Sequence, residues 1–182
     1  TNLDYLISVQ YDRILDENWL SIPKSDTLNL HFSFLPRLRG CYPTKWAIIE
    51  EQPTGVTLHS VDKGIDTGDI LDQQEVPIAF DDTDASLYAK LSIAAVDLFK
   101  RNISNIANKT FPKRRKQIDE NSSYHPKKMP FEGFLDLRND LGFCDRFLRA
   151  FTFPPFPPTS CTLGGKEVGL FAPARKEKNS KP

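Results

Sequence analysis

The chain has 182 residues, 39% of them apolar, with 24 basic against 24 acidic side chains, which suffices for one domain or a domain with a small appendage. Zero formal charge speaks against a strongly basic nucleic-acid surface, and no apolar run approaches the ~20 residues that span a bilayer. Cys41, Cys144 and Cys161 are odd in number and lack CxxC spacing, so reduced structural thiols in a cytoplasmic protein are expected, not a disulfide framework or a zinc site.

Residues 5–9 read as a buried strand. That is an unusual first element for a chain opening at Thr1 without Met or signal peptide, so sequence upstream is expected. Gln10-Tyr-Asp-Arg13 leaves the strand's carboxyl end, residues 14–20 read as a short helix and 23–26 as a turn. The next strand is 28–30, in a stretch ending Asn29-Leu-His31 before a loop punctuated by Pro36 and Gly40. Residues two apart share a strand face, so Asn29 and His31 project together. A carboxamide beside an imidazole at a strand's carboxyl end, where α/β sheets bind ligands, is a candidate reactive pair.

Pro43 takes the first position of a helix over 44–50, and Gln52-Pro-Thr-Gly55 turns the chain into an alternating strand over 56–61. Residues 62–69 form a loop with two glycines and three acidic residues, and 70–77 is predicted as the antiparallel partner of 56–61. Asp82-Thr-Asp84 caps a helix reaching about Ala107, in which Leu87, Leu91, Ala94 and Leu98 make a core-facing stripe.

Composition then shifts. Residues 110–130 carry six Lys/Arg, two acidic residues and three prolines, and read as an extended, solvated linker. Beyond it, 134–137 is predicted as a strand and 140–151 as a helix with Phe143, Phe147 and Ala150 on one side. Phe153-Pro-Pro-Phe-Pro-Pro158 can be neither helix nor inner strand. Residues 159–163 and 167–172 pair as a hairpin through Gly164-Gly165, and the Lys-rich tail is expected to be disordered.

Four motifs in order, Asn29-Leu-His-x-Ser-x-Leu-Pro-x-x-Arg-Gly40, Trp46-Ala-Ile48, Gly55-Val-Thr-x-His59 and Gly64-Ile-Asp-Thr-Gly-Asp-Ile70, resemble the formyltetrahydrofolate-dependent formyltransferase family. The likeness covers roughly residues 3–107, and Phe147-Leu-Arg-Ala150 resembles the family's C-terminal region. It implies an α/β fold: the C-terminal part of a Rossmann-like formyltransferase domain over 1–109, its first strands and Gly-rich turn absent from this chain. A linker (110–130), an α+β subdomain of helix and β-hairpin (131–173) and a disordered tail (174–182) follow. A sheet lacking its first strands would leave an unpaired edge.

The resemblance further implies transfer of a formyl group from N10-formyltetrahydrofolate to an amine, without metal. Asn29 would donate to the tetrahedral oxyanion. His31 would take or relay the amine proton, or donate to the oxyanion when protonated, and Asp66 would fix the imidazole and favour its charged form. His59, on a strand, reads as structural, and with His31 and nearby acids it fits no zinc pattern. Carried over by position, Gln10, Tyr11, Arg13 and Asp69 fall on the folate side. Phe32, Ser33, Arg37 and Arg39 fall on the amine side, where guanidinium groups suit a pyrophosphate.

Phe32 stands where most members have proline, a variant that resembles the sugar N-formyltransferases. The implied acceptor is a dTDP-linked amino sugar, dTDP-4-amino-4,6-dideoxyglucose ahead of the 3-amino sugars, for O-antigen or other surface glycan, handled by a cytoplasmic homodimer. Neutral charge and a short C-terminal region disfavour tRNA. The alternatives are a dTDP-3-amino sugar, glycinamide ribonucleotide or methionyl-tRNA as acceptor, or a non-catalytic fragment that binds a nucleotide sugar.

Overall fold

The computed structural model describes residues 2–111 and 114–172. Strands β1 (Tyr5–Val9) and β2 (Asp26–His31) run parallel, with Val9 opposite Leu30. Parallel strands need a crossover, and residues 10–25 supply it around a single-turn helix, α1 (Glu17–Leu20). The predicted helix began at Ile14. It begins later because Asp16 accepts from the backbone N–H of Asn18 and Trp19 and caps the turn there.

After the two-residue strand β3 (Arg39–Gly40), helix α2 (Pro43–Glu50) starts on its proline. Strand β4 (Thr54–Ser60) then runs antiparallel to both β2 and β5 (Ile70–Val76), giving the order β1-β2-β4-β5. Every residue of β4 is buried, as a central strand covered on both faces requires.

The two faces differ in chemistry. Leu28, Leu30, Val56 and Leu58 join one core with Leu87, Leu91, Ala94 and Leu98 of α3 (Asp84–Asn108), the predicted stripe. Thr83 and Ser86 form a capping box at its start. Alternation puts Asn29, His31, Thr57 and His59 on the opposite face.

The segment after α3 does not leave as a solvated linker. Arg115 exchanges backbone hydrogen bonds of 2.8 and 2.9 Å with Ile70, Asp119–Asn121 makes a 3-10 turn, and β6 (Tyr124–His125) pairs in parallel with β3. Helix α4 (Leu141–Ala150), capped by Asp140, buries Phe147 and Ala150 in the core of α2 and α3. The strand predicted over 134–137 shrinks to a bridge between Phe134 and Ser160. It ends there because Asp136 accepts from the N–H of Arg138 and turns the chain. Strands β7 (Thr159–Leu163) and β8 (Lys166–Leu170) form the hairpin, with Gly164 and Gly165 both at positive φ. The tail expected to be disordered lies outside the described residues, and among those described no helix is long and apolar enough to cross a membrane.

Candidate active site

Asn29 of β2 lies directly across from His59 of β4. The Nδ1–H of His59 donates to the carbonyl of Ser60 at 2.7 Å, and Nε2 accepts from Asn29 Nδ2 at 3.2 Å. The second amide N–H of half-buried Asn29 is left to donate elsewhere. His31 donates its Nε2–H to the carbonyl of Leu38 at 2.9 Å, which fixes the tautomer and leaves the lone pair on Nδ1. Asp66 sits between the rings, Oδ2 3.6 Å from His31 Nδ1 and Oδ1 3.5 Å from His59 Nε2.

Local sequence explains how two loops reach this face. Thr57 Oγ1 donates to the carbonyl of Ser33 at 2.8 Å, and Ser33 Oγ to that of Arg37 at 2.8 Å, pinning the loop after β2. The loop ends at Gly40, whose N–H donates to Asp66 Oδ2 at 2.8 Å. Gly40 has φ +92°, and a Cβ there would overlap the carbonyl oxygen of His125, so glycine is required. Asp66 itself stands at φ +54°, a left-handed conformation that aspartate tolerates better than most residues.

The charges follow from this geometry. Burial alone would raise the Asp66 carboxyl. The His31 charge, the neighbouring His59 imidazole and the Gly40 N–H outweigh it and bring the carboxyl down to about 2, so it is ionised at neutral pH. His31, 8% exposed, goes the other way from the charged form expected of it. Burial holds its pKa below the ordinary imidazole value despite Asp66, because a carboxylate at 3.6 Å lies beyond hydrogen-bond contact.

Asn29, His31 and Asp66 are thus brought together. Gln10, Tyr11 and Arg13 are exposed on the loop that follows Val9, the partner of Leu30, and emerge at the end of the sheet where β2 reaches His31. Half-buried Asp69 closes the loop between β4 and β5, its carbonyl accepting from Ser60 N–H at 2.9 Å. Three of the amine-side residues have their side chains engaged within the fold. Phe32 is 4% exposed, in the core against Tyr88 at 5.2 Å, because alternation puts it on the face of Leu28 and Leu30. Ser33 is fully buried with its hydroxyl committed to Arg37, and Arg39 is 8% exposed with its guanidinium bound to Gln117 and Asp119. Half-buried Arg37 keeps a side chain without a hydrogen bond or ion pair among the described residues.

Sequence reasoning missed His59 and the carbonyl of Leu38. The alternation of 56–61 placed His59 on one face, but only the antiparallel register with β2 sets it beside Asn29. No motif marks a carbonyl that orients an imidazole. Among the described residues no group of three or more His, Cys, Asp and Glu is arranged to hold a metal ion.

An amide donor and a neutral imidazole with a free lone pair on one sheet face, with a half-buried carboxylate from the neighbouring loop, define a site that can stabilise an oxyanion and move a proton. The chain belongs to the formyl transferase family, whose profile matches residues 1–103. It is 40% identical to a bifunctional polymyxin resistance protein ArnA of Wigglesworthia glossinidia brevipalpis, covering 91% of this chain and 25% of that protein. Identity is 32% to a methionyl-tRNA formyltransferase of Geobacter metallireducens (93% and 54% covered) and 35% to a GDP-perosamine N-formyltransferase of Brucella melitensis (90% and 62%). An N-formyltransferase of Helicobacter canadensis, solved with folinic acid and dTDP-3-aminofucose, superposes with TM-score 0.77 at 32% identity, over 89% of this chain and 59% of that one. The chain therefore spans between 25% and 62% of the length of these proteins.

Proposed function

We propose that this chain carries the catalytic centre of an enzyme that moves a formyl group from N10-formyltetrahydrofolate to the amino group of a nucleotide-linked amino sugar. The favoured acceptor is dTDP-4-amino-4,6-dideoxyglucose. The observation that carries the reading is the meeting of Asn29, His31 and Asp66 on one face, with Nδ1 of His31 unprotonated. The sugar is supported by the similarity to the GDP-perosamine enzyme and to the structure holding dTDP-3-aminofucose. The balanced charge of the chain suits it better than a tRNA backbone does.

The folate donor supplies the electrophilic formyl carbon. Asn29's free N–H donates to the formyl oxygen as negative charge gathers there, an interaction worth about 10²–10³-fold in rate where such donors have been removed. Nδ1 of His31 takes the proton of the attacking amine as its bond to the formyl carbon forms; collapse of the tetrahedral adduct then breaks the formyl C–N10 bond, and the proton held by His31 goes to N10 of the departing tetrahydrofolate. The imidazolium so formed lies beside ionised Asp66, which makes the proton transfer easier in a site where burial disfavours the charged ring. Tyr11 and Arg13, both exposed on the loop that leaves β1 at the end of the sheet where β2 reaches His31, offer a ring face and a cation to the donor, and Arg37 offers an uncommitted guanidinium to a pyrophosphate.

The test is turnover by the full-length protein with N10-formyltetrahydrofolate and a panel of amines: dTDP-4-amino-4,6-dideoxyglucose, GDP-perosamine, glycinamide ribonucleotide and methionyl-tRNA. Formylated sugar detected by mass spectrometry, and its loss in His31→Asn, are expected. Formylation of methionyl-tRNA or glycinamide ribonucleotide alone overturns the sugar assignment. Undiminished turnover in His31→Asn overturns the base.

A further inference from the structure

The segment from Arg114 to His125 plays no part in the reaction as derived, yet it holds both supports of the catalytic side chains. Gln117 Nε2 donates to the carbonyls of Asp66 and Gly68, each at 2.8 Å. Its Oε1 accepts from Nε and Nη2 of Arg39 at 3.0 and 2.8 Å, and Nη1 of Arg39 bonds Asp119 at 3.0 Å. A side chain here must donate on one side and accept on the other, which a carboxamide does and neither a carboxylate nor an ammonium can. Asp66 needs the hold. Its left-handed backbone, at φ +54°, persists because its surroundings impose it.

Ser123 serves the other arm. Its Oγ accepts from the N–H of Leu38 at 2.8 Å, its carbonyl accepts from the N–H of Arg39 at 2.9 Å, and its own N–H donates to the carbonyl of Pro36 at 3.3 Å. Leu38, also left-handed at φ +58°, is the residue whose carbonyl holds the Nε2–H of His31. One strap therefore fixes the carboxylate through Gln117 and the imidazole tautomer through Ser123.

We propose that Gln117 and Ser123 are positioning residues of this site, Gln117 aiming Asp66 and Ser123 aiming His31 by way of the Leu38 carbonyl. Neither touches a reacting atom. A displacement on the order of 1 Å in such a constellation costs about 10²-fold in rate, so each substitution lowers kcat by roughly ten- to a hundredfold while leaving KM for both substrates unchanged. The activity arm of this assignment rests on the formyl-transfer reading; the spectroscopic arm does not.

Gln117→Glu separates positioning from simple anchoring. The carboxylate still accepts from Arg39 but faces the carbonyls of Asp66 and Gly68 with an oxygen in place of a donor. In the full-length protein, Gln117→Ala and Gln117→Glu are expected to lose kcat alike with melting temperatures near wild type, and Ser123→Ala to lose it with the strap's backbone bonds intact. Long-range ¹H–¹⁵N spectra of the imidazoles read the same effect without substrate. His31 is a pure Nε2–H tautomer in the wild type and a mixture in Ser123→Ala, and the signals of both rings beside Asp66 shift in Gln117→Glu. Wild-type kcat in Gln117→Glu, unchanged spectra in both variants, or activity lost only in step with folded protein overturns the assignment. If the wild type formylates none of the amines offered, the functional reading falls and the spectra alone decide the strap.

Discussion

Replacing Asp66 by Asn removes one charge while keeping size, an acceptor for the Gly40 N–H and tolerance of a left-handed backbone. The carboxyl lies at about 2 against an ordinary 3.8. At about 1.4 kcal/mol per pH unit, that depression is worth roughly 2 kcal/mol of native stability. A folded-state pKa below the unfolded one stabilises above the unfolded value, so this contribution is fully present above 3.8 and drains away as pH falls to about 2. His31 acts in a second window. Burial depresses it in the fold, so the unfolded chain binds its proton first and stability is lost as pH falls below its ordinary 6.5. Asp66 moderates that loss, because its charge favours the imidazolium. Two effects of opposite order follow. Asp66→Asn falls faster than the wild type just below 6.5, and the wild type falls faster, by roughly 2 kcal/mol, between 3.8 and about 2. Urea unfolding of the full-length protein, followed by tryptophan fluorescence at stepped pH, measures both. Parallel stability curves across the acid window would refute the placement of an ionised, half-buried carboxylate between two imidazoles.

Asn29→Ala removes the amide whose second N–H is uncommitted and leaves Nε2 of buried His59 without its donor; kcat should fall by about 10²–10³-fold and stability by about 1–3 kcal/mol, as steady-state assay and denaturant unfolding would show. Phe147→Ala attacks the core instead. Phe147 is fully buried and stacks on Phe151 with ring centroids 4.6 Å apart, so the cavity should cost about 3–5 kcal/mol in a denaturant melt while the His31 tautomer in the folded fraction stays as it is.

What could be read from residues alone was local. The period of two in a strand put Asn29 and His31 on one face, the cap and stripe located α3, and paired glycines placed the β7–β8 turn. The same period put Phe32 in the core with Leu28 and Leu30. What could not be read depends on pairings distant in the chain. His59 enters the site only because β4 lies against β2 as well as β5. Gln117 and Ser123 act on backbone groups 51 and 85 residues away, and a backbone carbonyl or N–H carries no sequence signature, so a basic, Pro-punctuated stretch read as a linker. Protonation is the furthest from the sequence. A histidine and an aspartate brought together suggest a charged pair, and the outcome turns on two quantities that only the fold supplies. The ring is buried to 8% exposure, which costs the imidazolium its water, and the carboxylate stays 3.6 Å from Nδ1, beyond a compensating hydrogen bond. The same two quantities make His31 a base: it rests neutral, with its Nε2–H spent on Leu38 and a lone pair on Nδ1, beside the anion that will stabilise it once it has taken a proton.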